Sequence, residues 1–176
     1  MPESTATRTL ARVITVSDRS ARGARPDASG PEAENLLTAA GYDVSGDIIP
    51  DGAGPVSEAI RAAISDGARL IITTGGTGVG PRDRTPEGTV NVISREVPGL
   101  AELLRAKGAE VTPHAVLTRG IVGVIDAHPG EGAIAPAFAG ALVANLPGSP
   151  KGVREGLAVL IPLVPHILDQ LAGGDH

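Results

Sequence analysis

The chain contains no cysteine, and its only aromatic residues are Tyr42 and Phe138. Without thiols, disulfides, thiolate catalysis and Cys-ligated metal or iron–sulfur sites are excluded. Two aromatics cannot build a base-stacking platform. Fifteen Lys and Arg against 20 Asp and Glu, a net charge of −5, supply no broad basic face, so nucleic-acid binding is disfavoured. No apolar run approaches the ~20 residues of a membrane span, and the N-terminal MPESTATRTLARVITV lacks the apolar centre of a signal peptide. The expectation is a soluble, cytoplasmic protein with no membrane contact.

What is abundant is glycine and aliphatic residues. Gly 24 and Pro 15 verge on a low-complexity composition, but Val, Ile, Leu and Phe number 45 of 176 residues, enough for an aliphatic core. A chain of this length buries roughly 70% of its unfolded surface and needs no covalent staple. Residues 1–10 read as a flexible N-terminus, 11–172 as one domain and 173–176 as a tail.

A short β-branched run marks a strand at 12–17, further strands fall at 42–50 and 70–74, and two apolar strands at 121–125 and 141–146. Helical patterns lie between them. Ser29 to Glu32 has capping-box spacing ahead of a helix to Ala40. Val56, Ala59, Ile60, Ala63 and Ile64 fall on one helical face. Further helices begin at Thr85 and Pro98, and a last one spans 152–171, limited or kinked by Pro162 and Pro165. Residues 18–29 read as a polar loop and 126–140 as an exposed excursion. Apolar strands alternating with helices predict a three-layer α/β/α domain around a mostly parallel sheet.

In such a sheet, function gathers beyond the carboxyl ends of the strands. That rule selects Ser17 and Asp18, Asp51, residues 75–84, and the segment 145–151 with Pro147, Gly148, Ser149 and Lys151. Gly75, Gly76, Gly78 and Gly80 allow backbone N–H groups to approach an anion, and Thr74 and Thr77 add hydroxyls. A tight turn at the sheet edge is the alternative. The loop is neither a Walker A sequence nor a dinucleotide fingerprint, since Pro81 stands where a third glycine belongs. Asp51 and Asp83 could support Mg²⁺ on a nucleotide's phosphates, or each could cap a helix or turn. Arg82 beside Asp83 could face phosphate or form a surface ion pair. His114, His128, His166 and His176 show no metal-ligand spacing.

The motifs VSDRS (16–20), DASGP (27–31), IIPD (48–51), TTGGTG (73–78), PRDRTPE (81–87), PGLAELLR (98–105) and NLPGSPKGVREGL (145–157) occur in this order. Through them the chain resembles the molybdenum cofactor biosynthesis family of the MogA/MoaB type, whose fold recurs in the gephyrin G domain. The resemblance implies molybdopterin adenylyltransferase activity, in which Mg²⁺ and ATP convert molybdopterin to adenylyl-molybdopterin and pyrophosphate. It assigns the functional carboxylates to Asp51 and Asp83 and places Thr118 and Arg119 where the family carries a Ser-Arg pair. It also implies a homotrimer and a molybdenum-insertion protein as a partner in the pathway. A non-catalytic molybdopterin-binding scaffold, or a nucleotide hydrolase like the related domain of competence-damage proteins, would share these motifs.

Overall fold

Six strands form a single sheet in the order β2-β1-β3-β6-β5-β4 in a computed structural model that describes residues 8–129 and 137–174. β1 (Leu10–Val16), β2 (Asp43–Ile49), β3 (Leu70–Thr74) and β6 (Ala141–Leu146) run parallel, with Ile14 opposite Thr73 and Ile72 opposite Ala144. Because successive side chains alternate in direction, Leu70, Ile72, Leu142 and Ala144 face one layer, and Ile71 and Val143 the other. The first layer comprises α2 (Ser29–Ala39), α5 (Pro98–Val111), α6 (Pro150–Leu160) and α7 (Val164–Leu171). The second is α3 (Ala53–Ser65), with α4 (Thr85–Val90) packed against it. Val56, Ile60 and Ala63, the stripe expected from periodicity, are fully buried against this second face.

The expected three-layer α/β/α architecture is present, with several departures in detail. The sheet is mixed, because β5 (Val122–Ile125) runs antiparallel to β6 and pairs on its other side with the two-residue β4 (Arg95–Glu96), also antiparallel. The connection from β5 to β6 turns back on itself through a bridge between His128 and Phe138, so no crossover helix is needed to reverse direction. Its segment 130–136, seven of the fifteen residues of the expected excursion 126–140, lies outside the described residues, as do residues 1–7. Leu10 already belongs to β1, and Thr9 accepts a bond from Asp43 N, so those two positions join the sheet instead of a frayed end.

β2 is an edge strand with mostly exposed side chains, unlike the buried strands beside it. A short α1 (Asp18–Ala21), capped by Ser17, occupies part of the expected loop 18–29. Ser29 does not cap α2. Asp27 does, accepting bonds from Ser29 N and Gly30 N through Oδ1 at 3.0 and 3.1 Å. The final helical stretch is divided between α6 and α7, because Pro165 has no N–H for the carbonyl of Ile161 and its ring would clash there.

Candidate active site

The carboxyl ends of the four parallel strands lie along one sheet edge. There the backbone reverses sharply: Gly75 has φ +97° and Gly76 φ +63°, conformations that side chains rarely tolerate. A Cβ on Gly75 would collide with the Val16 carbonyl, and one on Gly76 with the Thr85 hydroxyl. Gly75 N still donates to Leu146 O at 3.0 Å, while the Gly75 and Gly76 carbonyls accept from Thr85 Oγ1 and Thr85 N. The carbonyls are therefore turned toward the protein. Among the described residues, the N–H groups of Gly76, Thr77 and Gly78 have no protein acceptor. That is the polarity required of an anion cradle.

Two pockets flank this loop. One, of about 230 Å³, is polar and is lined by Ser17, Asp51, Thr74, Gly76, Asp83 and Gly148 among others. The other, of about 330 Å³, is mostly apolar and includes Thr77, Gly78, Thr118, Pro147, Ser149 and Lys151 in its wall. Twelve of the residues expected from sequence thus meet at one edge, divided between two adjoining cavities.

The remaining four line neither cavity. Gly75 supplies the turn. Asp18 and Asp51 hold each other: Asp18 N donates to Asp51 Oδ2 at 2.8 Å, and Asp51 N donates to Asp18 Oδ1 at 3.2 Å. Arg82 closes the arrangement, with Nε and Nη2 each 3.1 Å from an Asp18 oxygen and Nη2 2.9 Å from Asp51 O. Its hydrogen bond holds the Asp18 carboxyl below the usual carboxylate range. Arg119 N donates to Thr77 O, Nε to Gly78 O at 2.8 Å, Nη2 to Asp83 O at 2.6 Å and Nη1 to Glu87 Oε1 at 2.5 Å. Its guanidinium thus staples the glycine loop to α4, and that hydrogen bond lowers the pKa of Glu87.

Asp51 Oδ1 and Asp83 Oδ1 are left without a protein donor among the described residues. Asp83 Oδ2 accepts from Gly80 N at 2.9 Å, closing a tight turn. Each carboxylate therefore has one oxygen held in a structural hydrogen bond, as the capping reading expects, and one oxygen without a protein donor among the described residues.

Three supporting residues escaped sequence reasoning. Asp27 accepts from Thr15 Oγ1 at 2.6 Å as well as capping α2, and Ser29 Oγ lies 2.8 Å from Thr74 Oγ1. Asn145, almost fully buried, donates through Nδ2 to Thr73 Oγ1 and Thr89 Oγ1, both at 2.9 Å, and accepts from Ile121 N at 3.2 Å. Asp27 stood in DASGP and Asn145 in the segment 145–151, but only their partners distinguish them from other polar loop residues.

Residues 12–166 match the family described as "Probable molybdopterin binding domain". The chain belongs to this family. The domain is 41% identical over 168 residues to a molybdenum cofactor biosynthesis bifunctional protein of Synechococcus elongatus, covering 95% of this chain and 49% of the relative. It is 40% identical over 157 residues to a molybdopterin adenylyltransferase of Pyrococcus furiosus, covering 89% and 87% respectively. The solved Mog protein of Mycobacterium ulcerans superposes with a TM-score of 0.81 at 40% identity, over 96% of this chain and 99% of that one. The chain spans less than half the length of three longer curated relatives, 49%, 25% and 21%.

Proposed function

We propose that the chain is a molybdopterin adenylyltransferase, moving AMP from ATP to molybdopterin with release of pyrophosphate. The observation that carries this reading is the placement of Asp51 and Asp83 at one polar pocket that shares the Gly76–Gly78 turn and the 147–149 segment with an apolar pocket of ring-accommodating size. The P. furiosus relative that bears this activity in its name is nearly matched in length.

A phosphoryl group at the turn meets the N–H groups of Gly76, Thr77 and Gly78 without reorganising the backbone, since the carbonyls are already committed to Thr85. Ser149 caps α6 by accepting from Gly152 N and keeps its own proton to donate. Lys151, exposed at the rim of the apolar pocket, adds positive charge. Asp51 and Asp83 are the residues that would hold Mg²⁺. Their unpaired oxygens suit a hard cation, and because no cluster of three or more potential protein ligands exists among the described residues, the rest of its shell would come from substrate phosphate oxygens and water. When bound, Mg²⁺ supplies charge neutralisation for the phosphoryl oxygens.

Residues 11–172 act as one domain, in the cytoplasm. The chain assembles as a homotrimer and passes its product to a molybdenum-insertion protein. Exposed Val111, Val116 and Leu117 at the end of α5 and in the turn beyond it supply apolar surface for self-association.

Pyrophosphate release from ATP, measured with and without molybdopterin, tests the activity. Release only with molybdopterin is expected. Turnover without pterin identifies a nucleotide hydrolase, and tight pterin binding without turnover identifies the scaffold reading.

A further inference from the structure

The polar pocket has an unusual charge balance for a polyphosphate site. Three carboxylates line it, Asp27, Asp51 and Asp83, and Arg25 is the one cation among the described lining residues. Asp27 is fully engaged with Thr15, Ser29 and Gly30. The nearby Arg82 is engaged with Asp18 and the Asp51 carbonyl. Arg25 is different. It is exposed, and it makes no hydrogen bond or ion pair among the described residues.

Its backbone is nevertheless held in place. Pro26 follows it with a restricted φ, and Asp27 is pinned by four donors one residue further on. On its other side, Ala24 N donates to Arg19 O. The anchor points fix where the side chain starts, and Arg25 lines the pocket, exposed and without a partner among the described residues. A planar guanidinium carries five N–H donors suited to two phosphate oxygens at once.

We propose that Arg25 is the polyphosphate-contacting residue of this pocket, gripping the β- and γ-phosphates that depart as pyrophosphate. This rests on the adenylyl-transfer reading above. In that step a phosphate oxygen of the pterin bonds to the α-phosphorus, the bond from that phosphorus to the bridging oxygen breaks, and the electron pair leaves with pyrophosphate. Negative charge therefore grows on the leaving group, in a pocket whose described lining carries one cationic side chain. The Arg25 guanidinium, the one cation among the described lining residues, offsets that charge.

The test is calorimetric titration of the whole chain with magnesium pyrophosphate. Arg25→Gln is compared with wild type and with Arg61→Gln, a remote charge removal on α3 whose side chain, among the described residues, bonds only the Asn91 carbonyl. Arg25→Gln is expected to weaken pyrophosphate binding at least tenfold, to raise the inhibition constant of pyrophosphate and KM for ATP, and to leave AMP affinity within twofold. Arg61→Gln should match wild type. Unchanged pyrophosphate affinity in Arg25→Gln, equal losses in both variants, or no binding by wild type overturns the assignment. A wild type that binds pyrophosphate through Arg25 but never adenylylates molybdopterin overturns the adenylyl-transfer reading and leaves Arg25 as a polyphosphate contact.

Discussion

Replacing Asn145 by alanine removes the polar knot that joins β3, α4 and the entry to β5. Three hydrogen bonds are lost, to Thr73 Oγ1, Thr89 Oγ1 and from Ile121 N. Thr89 keeps its bond to Thr85 O, so its hydroxyl proton stays satisfied. Ile121 N, part-buried, loses its side-chain acceptor, and the penalty for an unsatisfied buried donor, about 1–3 kcal/mol, is its upper limit. The two hydroxyl acceptors add roughly 0.5–1.5 kcal/mol each at the net value of a hydrogen bond, less whatever entering water restores. A loss of about 3 kcal/mol is expected, or about 6–12 °C in melting temperature for a chain of this size. Urea unfolding followed by far-ultraviolet circular dichroism suits a protein with one tyrosine and no tryptophan. The midpoint should fall with an unchanged slope. A loss below about 1 kcal/mol would refute the claim that this knot supports the floor of the site.

Asp83→Asn keeps size and hydrogen bonding to Gly80 N but removes charge, and should cut adenylyl transfer at least ~100-fold, about 2.7 kcal/mol of barrier. Molybdopterin affinity by titration should change little, and normal turnover at saturating ATP and Mg²⁺ would leave Asp83 a turn residue only. Gly78→Val should weaken both ligands while the protein still folds, because its Cβ would stand 2.8 Å from Asp83 Oδ2 and displace that carboxylate; unchanged affinity would remove the loop from the site. Arg82→Gln should flatten the acid side of the stability profile. Asp18 has a depressed folded-state pKa, so its contribution is complete above the unfolded value and lost as pH falls through the folded one. Melting temperatures of wild type and variant should converge at low pH, and parallel profiles would count against the Asp18–Arg82 bond.

Local chemistry was enough to locate most of the elements. A β-branched run places β1, apolar runs place β3 and β6, and the 3.6-residue spacing of Val56, Ile60 and Ala63 places the buried face of α3. These signals are legible because burial on one or both faces imposes a period on consecutive residues. The carboxyl-edge rule then finds Asp51, Asp83 and the glycine turn, since it requires only strand order and direction.

Tertiary structure decided strand direction at the far side of the sheet and the partner of every long-range polar group. An apolar run such as Val122–Ile125 carries no mark of polarity, because the same side chains fit a parallel or an antiparallel neighbour. Its reversal is what brings Thr118 and Arg119, which precede β5, to the carboxyl edge of the parallel strands; a parallel β5 would have put them at the opposite edge. Likewise, Asp27, not Ser29, caps α2, and Asp18, Arg82 and Arg119 turn toward the protein instead of lining a cavity. Those choices depend on donors and acceptors as many as 64 residues apart, and short-range periodicity holds no record of them.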